Sequence, residues 1–206
     1  VKDPFAWSDD FLVLPIVPPK GKSLSAYTPP TSRTKLINEL SLAAQAFKAL
    51  ATIHQQHVIH RAINPGAIFI QQMSAPFGLM FTHFFAARVN APSIAVSLDA
   101  LEIEDPYIAP ELMESYGLAQ PHSDVFSLAL VFLKRWSGQH LKTLRSNVAE
   151  RVVLPDLQAR WPSFPPESIA RLTDLFGTIF HSPSISLRPL PSTVAERLEE
   201  IARVLE

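Results

Sequence analysis

Histidines are the residues of this sequence best suited to metal or proton chemistry. His54, His57 and His60 follow one another at intervals of three, and His83 comes later in the same half of the chain. Imidazole nitrogens bind transition metals and titrate near neutral pH, so this spacing is compatible with a histidine metal site. His54 also completes an apolar stripe, however, which is more typical of a packed histidine. We therefore predict no metal site, with His57 solvated and His60 packed in the core.

Several other kinds of chemistry are excluded by what the chain lacks. It has no cysteine, so thiolate zinc sites, cysteine nucleophiles and disulfide frameworks are absent. It has only 6 glycines against 19 prolines, and no G-x-G-x-x-G or G-x-x-x-x-G-K-[ST] phosphate loop. The formal net charge of -1 argues against a surface for nucleic acid or an anionic membrane. With neither a signal peptide nor an apolar run of transmembrane length, the chain is expected to be cytoplasmic.

Most of the predicted secondary structure is helical. Residues 35–56 place apolar side chains at i, i+4 and i+7, which predicts a long amphipathic helix. Residues 125–133 are apolar at all but one position, which predicts a central helix buried on all sides. Residues 169–179 carry another helical stripe. Thr193 and Glu196 have the spacing of a capping box and predict the start of a last helix.

Short strands complete the predicted fold. Residues 5–7 and 11–14 are separated by the turn signal at 8–10 and predict a first hairpin. Residues 67–70 and 79–81 predict a second one. The fold class is therefore mainly α, of the α+β type, with short β-hairpins.

Five short motifs resemble the landmarks of a protein kinase large lobe. The letters HRAINPGAI at residues 60–68 are similar to the catalytic loop H-R-D-L-K-P-x-N-I, and HFFAAR at 83–88 is similar to D-F-G-x-A-R. APE at 109–111 matches the end of the activation segment, and DVFSL at 124–128 matches the start of the buried helix. Arg-Pro at 188–189 stands where the family's late arginine pairs with the glutamate of A-P-E. Because all five occur in order at matching separations, the resemblance covers nearly the whole chain.

The resemblance implies two unequal parts. Residues 1–19 correspond to residual small-lobe strands and the hinge, and residues 20–206 to the helical large lobe, so most of the small lobe is missing. Asp124 would accept hydrogen bonds from the catalytic-loop backbone, and Glu111 would pair with Arg188. The structural landmarks that the family would retain are His60, Arg61, Phe84, Glu111, Asp124 and Arg188.

The catalytic positions depart from the family pattern. Ala62 replaces the aspartate base, Asn64 the lysine and Ala67 the metal-binding asparagine, while His83 replaces the metal-binding aspartate. Phosphoryl transfer depends on positioning and charge neutralisation, and Mg²⁺ prefers oxygen ligands. The resemblance therefore implies a degenerate serine/threonine kinase domain, a pseudokinase without catalytic or metal-binding residues. Its function would be that of a protein-interaction scaffold or an allosteric regulator.

Nucleotide binding and two alternatives stay open. By the resemblance, adenine would meet the carbonyl of Pro15 and the N–H of Val17 in the hinge, so no cofactor is expected beyond weak, Mg²⁺-independent ATP binding. One alternative is a divergent ATP-dependent phosphotransferase that uses non-standard residues such as Asn64, His83 and Glu102. The other is a fragment of a serine/threonine kinase whose small lobe lies elsewhere.

The expected partner is a protein, or a second copy of the chain. A lone two-stranded hairpin is marginally stable in water, and its edges offer unpaired backbone groups. An open apolar surface is a liability, so something is expected to cover it. The candidate interface residues are Phe5, Trp7, Phe11 and Leu12.

Overall fold

The computed structural model describes residues 5–8, 11–13, 20–72, 78–89, 106–142, 144 and 156–205. Its α-helices include α1 (Arg33–Gln55), α2 (Pro110–Glu114), α3 (Pro121–Ser137), α4 (Leu157–Arg160), α5 (Pro166–Phe180) and α6 (Pro191–Leu205). Short 3-10 helices lie at Leu24–Ala26, Phe84–Ala86, Tyr116–Leu118 and Ile185–Leu187. The fold is therefore mostly helical, as the sequence predicts.

Seven short strands form three small antiparallel sheets within the described residues. They are β1 (Phe5–Ser8), β2 (Phe11–Val13), β3 (Lys22–Ser23), β4 (Val58–Ile59), β5 (Ile68–Gln72), β6 (Gly78–Phe81) and β7 (Arg88–Val89). β1 pairs with β2, β5 lies between β3 and β6, and β4 pairs with β7. Both predicted hairpins are confirmed, because β1 and β2 form the first and β5 and β6 the second.

The core is organised around α3. Every residue from 123 to 133 is buried, as expected for a helix that is apolar on all sides. Pro121 begins α3, where its missing N–H costs nothing, and Gly138 ends it with a left-handed φ of 69°. α1 packs along α6 and also against α3. Burying each large side chain, such as Phe47 of α1, contributes roughly 1.5–3 kcal/mol to folding.

The last helix begins earlier than predicted. α6 starts at Pro191, so Thr193 lies inside its first turn and the predicted capping box is wrong. A proline at the first helical position has a φ that suits a helix, and this signal outweighed the Thr193–Glu196 spacing.

Gly21 allows β3 to approach β5 closely. Its φ is 98°, and a Cβ atom there would lie 2.2 Å from the carbonyl oxygen of Ile70. Only glycine fits both this backbone conformation and this contact. The segment that follows is fixed beside the loop at residues 60–68 by the hydrogen bond from Ser25 N to Pro65 O (3.2 Å).

None of the helices in the described part of the chain is both long and apolar enough to cross a bilayer.

Candidate functional site

Asp124 holds the backbone of the loop that contains His60 and Arg61. Its Oδ2 accepts the His60 N–H and its Oδ1 accepts the Arg61 N–H, both at 2.8 Å. The Nε2 of His54, near the end of α1, lies 2.9 Å from Asp124 Oδ2. Arg61 has a left-handed φ of 64°, a strained conformation for a residue other than glycine. The buried carboxylate therefore stabilises a loop conformation that the backbone alone disfavours.

His60 links this loop to the chain that follows β6. Its side chain is fully buried, and its Nε2 lies 2.8 Å from the carbonyl oxygen of Thr82. Because a carbonyl only accepts, Nε2 carries the proton, and Nδ1 is free to accept the Ala62 N–H at 3.3 Å. The His60 ring also lies 4.6 Å from the Phe84 ring, centroid to centroid. Burial lowers the pKa of His60, although the negative charge of Asp124 opposes that effect.

The four positions that the sequence singled out as degenerate have different environments. Ala62 and Ala67 are 3% and 0% exposed. Ala62 packs with Ala86, and the ring of Tyr116 packs against this pair. His83 is exposed, with a left-handed φ of 61°.

The side chain of Asn64 forms hydrogen bonds within its own loop. Its Oδ1 accepts the N–H of Gly66 at 2.8 Å and the N–H of Ala67 at 3.2 Å. Asparagine side chains form such local turns readily, so Asn64 stabilises the turn at residues 64–67.

Two arginines fix the turn at 116–119. Arg61 donates from Nη1 to Tyr116 O at 3.3 Å, and its guanidinium lies 5.8 Å from the centre of the Tyr116 ring. Arg88 donates from Nη1 to Gly117 O at 3.2 Å and from Nη2 to Ala119 O at 2.8 Å. Burial, and then the positive charge of Arg88, lower the pKa of Arg61. The turn that covers Ala62 is thus bonded to both arginines.

Glu111 and Arg188 form a buried ion pair. Arg188 Nη1 lies 2.5 Å from Glu111 Oε1, Nη2 lies 3.0 Å from Oε2, and the Ser123 hydroxyl donates to Oε1 at 2.7 Å. Burial alone would raise the pKa of Glu111, but the hydrogen bonds and charge of Arg188 outweigh it, so this pKa lies below its ordinary value. The guanidinium also lies 4.9 Å from the centre of the Phe126 ring. The pair ties α2 to the segment before α6.

Two features were missed by sequence reasoning. His54 was assigned to the core stripe, but its Nε2 contacts Asp124. Glu39 and Arg135, 96 residues apart in the chain, form a buried ion pair between α1 and α3. The sequence indicates that Glu39 needs a partner, because this charged residue lies on the apolar face of α1 between Leu36 and Leu40.

The other predicted site residues lie outside the part of the chain that the structure describes. Pro15 and Val17 lie outside the described residues, as do the side chains of Phe5, Trp7, Phe11 and Leu12. Among the residues that are described, no group of three or more histidine, aspartate or glutamate side chains is arranged to hold a metal ion.

Comparison with known proteins assigns the family. The profile of the protein kinase domain matches residues 11–169. This chain belongs to the protein kinase domain family. The kinase-like resemblance noted in the motifs is therefore confirmed, and the loop at residues 60–68 lies within the matched range.

Bacterial serine/threonine kinases are among the relatives of this kinase-family domain. It is 27% identical over 180 residues to the serine/threonine-protein kinase PknA of Mycobacterium tuberculosis, covering 86% of this chain and 40% of PknA. It is 27% identical over 206 residues to the serine/threonine-protein kinase drp72 of Corynebacterium efficiens, covering 100% and 36%. With PrkC of Bacillus subtilis the identity is 26% over 155 residues, covering 75% and 23%. The chain thus spans well under half the length of these relatives.

Proposed function

We propose that this kinase-family domain is a pseudokinase that acts through protein contacts, as a scaffold or an allosteric regulator. The observation that carries the proposal is the environment of Ala62. Where the family's catalytic base would stand, a methyl group is 3% exposed and packs with Ala86 and the Tyr116 ring. A methyl group accepts no proton, and a covered one meets no substrate hydroxyl.

The metal-binding positions support the same proposal. Ala67 is fully buried and offers no oxygen ligand. His83 offers only an imidazole, which is a poor ligand for Mg²⁺. These side chains do not fit the Mg²⁺ that the family uses, so no phosphoryl-transfer step follows from them.

The divergent phosphotransferase is less well supported by the geometry. Asn64 was one of its candidate residues, but its Oδ1 already accepts two backbone N–H groups within the loop. Using Asn64 in catalysis would require breaking the turn that holds residues 64–67.

We expect purified protein to transfer no phosphate from labelled ATP to itself or to generic substrates, with Mg²⁺ or Mn²⁺. Ala62→Asp should remain inactive and lower the melting temperature, because it buries a carboxylate beside Tyr116. Ala170→Asp is the matched control, since Ala170 is exposed on α5 and its change should cost only about 0.7 kcal/mol. Incorporation above that of heat-treated protein would contradict the proposal and favour a divergent phosphotransferase.

The proposed partner surface is the β1–β2 hairpin with its apolar residues Phe5, Trp7, Phe11 and Leu12. A two-stranded hairpin needs further packing to be stable, which a second chain would provide. The first candidate for that chain is a second copy of this protein.

Light scattering at high protein concentration tests this surface. The wild type should have the mass of an oligomer, and Trp7→Lys should return it to a monomer. Leu187→Lys is the control, because Leu187 is 65% exposed at the Ile185–Leu187 3-10 helix and should leave the mass unchanged. A monomeric wild type would rule out self-association through the hairpin.

A further inference from the structure

Phe84 and Phe85 form an exposed aromatic surface, which we call the aromatic platform. Their side chains are 42% and 61% exposed, and both residues follow β6 in the 3-10 helix Phe84–Ala86. Neighbouring apolar side chains left in water are unfavourable, and such exposed patches commonly mark contact sites. The platform is therefore a candidate contact surface.

The backbone that carries the platform is held firmly at both ends. The Thr82 N–H donates to Ala67 O at 2.9 Å, and His60 Nε2 donates to Thr82 O at 2.8 Å. At the other end, Arg61 Nε donates to Ala86 O at 2.5 Å. A surface that is already ordered loses little conformational entropy when a partner binds to it.

The strand before the platform has an open edge. In the described sheet β6 is the last strand, with β5 on one side only. The bond from Thr82 N to Ala67 O fixes the alternation of the antiparallel ladder, so the N–H and C=O groups of Leu79 and Phe81 point away from β5. No described strand pairs with them on that side. A further strand binds to such an edge through backbone hydrogen bonds.

The charges beside the platform complement those of the β1–β2 hairpin. His83 precedes the platform, Arg88 follows it, and Arg61 is bonded to its last residue. The two residues between β1 and β2 are Asp9 and Asp10. The hairpin sequence thus combines apolar side chains with negative charge, whereas the platform combines aromatic rings with basic neighbours. Complementary charge of this kind favours one docking orientation over others.

We propose that the β1–β2 hairpin of a second copy docks on the aromatic platform and the open edge of β6. Both platform rings are this exposed in the single chain, so the hairpin that covers them is the one from a second copy. When each copy gives its hairpin to the other, a two-fold axis relates the two contacts and assembly stops at a dimer. This inference names the surface that receives the hairpin, and it rests on the self-association proposed above.

Complementation between two variants, followed by light scattering, tests this arrangement. Phe85→Lys and Trp7→Lys should each be monomeric at a concentration where the wild type is a dimer. An equal mixture of the two variants should recover a heterodimer, because the intact hairpin of one meets the intact platform of the other. Val204→Lys is the matched control, since Val204 is 63% exposed on α6 and its replacement should leave the dimer unchanged.

The outcomes distinguish this inference from the proposals on which it rests. A dimeric Phe85→Lys, or a mixture that stays monomeric, would overturn docking on the platform and leave self-association through the hairpin in place. A monomeric wild type would overturn both, as expected if the hairpin docks on its own chain. The proposed absence of phosphoryl transfer is judged separately, by the assay with labelled ATP.

Discussion

Arg135→Met should lower the free energy of unfolding by about 3–5 kcal/mol, because it leaves a buried carboxylate without its partner. Arg135 Nε donates to Glu39 Oε2 at 3.1 Å, and Nη2 donates to Oε1 of the same side chain. Nη1 donates to the carbonyls of Leu24 and Tyr27 at 3.3 and 3.0 Å, and Nη2 to Thr28 O at 3.2 Å. The substitution therefore also removes the bonds that fix residues 24–28 to α3. Urea unfolding measures the loss.

Two further variants show whether the uncompensated charge is the cause. Arg171→Met removes an exposed pair with Glu167 at 2.6 Å and should cost at most about 0.5 kcal/mol. In the double variant Glu39→Met/Arg135→Met no charge is stranded, so the pair should show a coupling of about 0.5–3 kcal/mol. Strictly additive losses would mean that packing, and not the ion pair, carries the effect.

Arg188→Ala should also lower the free energy of unfolding by about 3–5 kcal/mol, because Glu111 is 7% exposed and would be left in the core without its ion-pair partner. The packing of the guanidinium on Phe126 is lost with it. Arg197→Ala is the matched control, since Arg197 pairs with Asp174 at 3.0 Å where the two side chains are 41% and 65% exposed. That change should cost less than about 1 kcal/mol. Equal, small shifts in melting temperature for both variants would contradict a stabilising role for the Glu111–Arg188 pair.

The pH dependence of the Arg188→Ala effect adds an independent check. The pKa of Glu111 lies below its ordinary value of 4.5 in the folded protein. The stability that the pair contributes is therefore complete above about pH 4.5 and is lost as the pH falls through the folded-state pKa. The difference between wild type and variant should be largest near neutral pH and shrink in acid. A difference that stays constant down to acid pH would mean that packing dominates.

Much of the architecture could be predicted from the sequence because its signals are local. The helical period of residues 35–56, the apolar run at 125–133 and the two hairpins arise from neighbouring residues, and each is present in the structure. The kinase-family motifs are local as well. They indicated the family because their order and separations along the chain match the family pattern.

The candidate site was predictable only in part. The sequence identifies which residues stand at positions 62, 64, 67 and 83, and so which chemistry those side chains lack. It does not show that Ala62 is covered by Tyr116, which lies 54 positions further along the chain. Nor does it show that the Asn64 side chain accepts hydrogen bonds from the backbone of its own loop.

The family, the helical class and the residue types at positions 62, 64, 67 and 83 could be read from the amino-acid sequence, because side-chain identity and short-range periodicity depend only on neighbouring residues. The burial of Ala62, the contact of His54 with Asp124 and the pairing of Glu39 with Arg135 are apparent only from the folded structure. These depend on residues that lie far apart in the chain. Their energies come from the exclusion of water and from charge pairing, which exist only once the helices have packed.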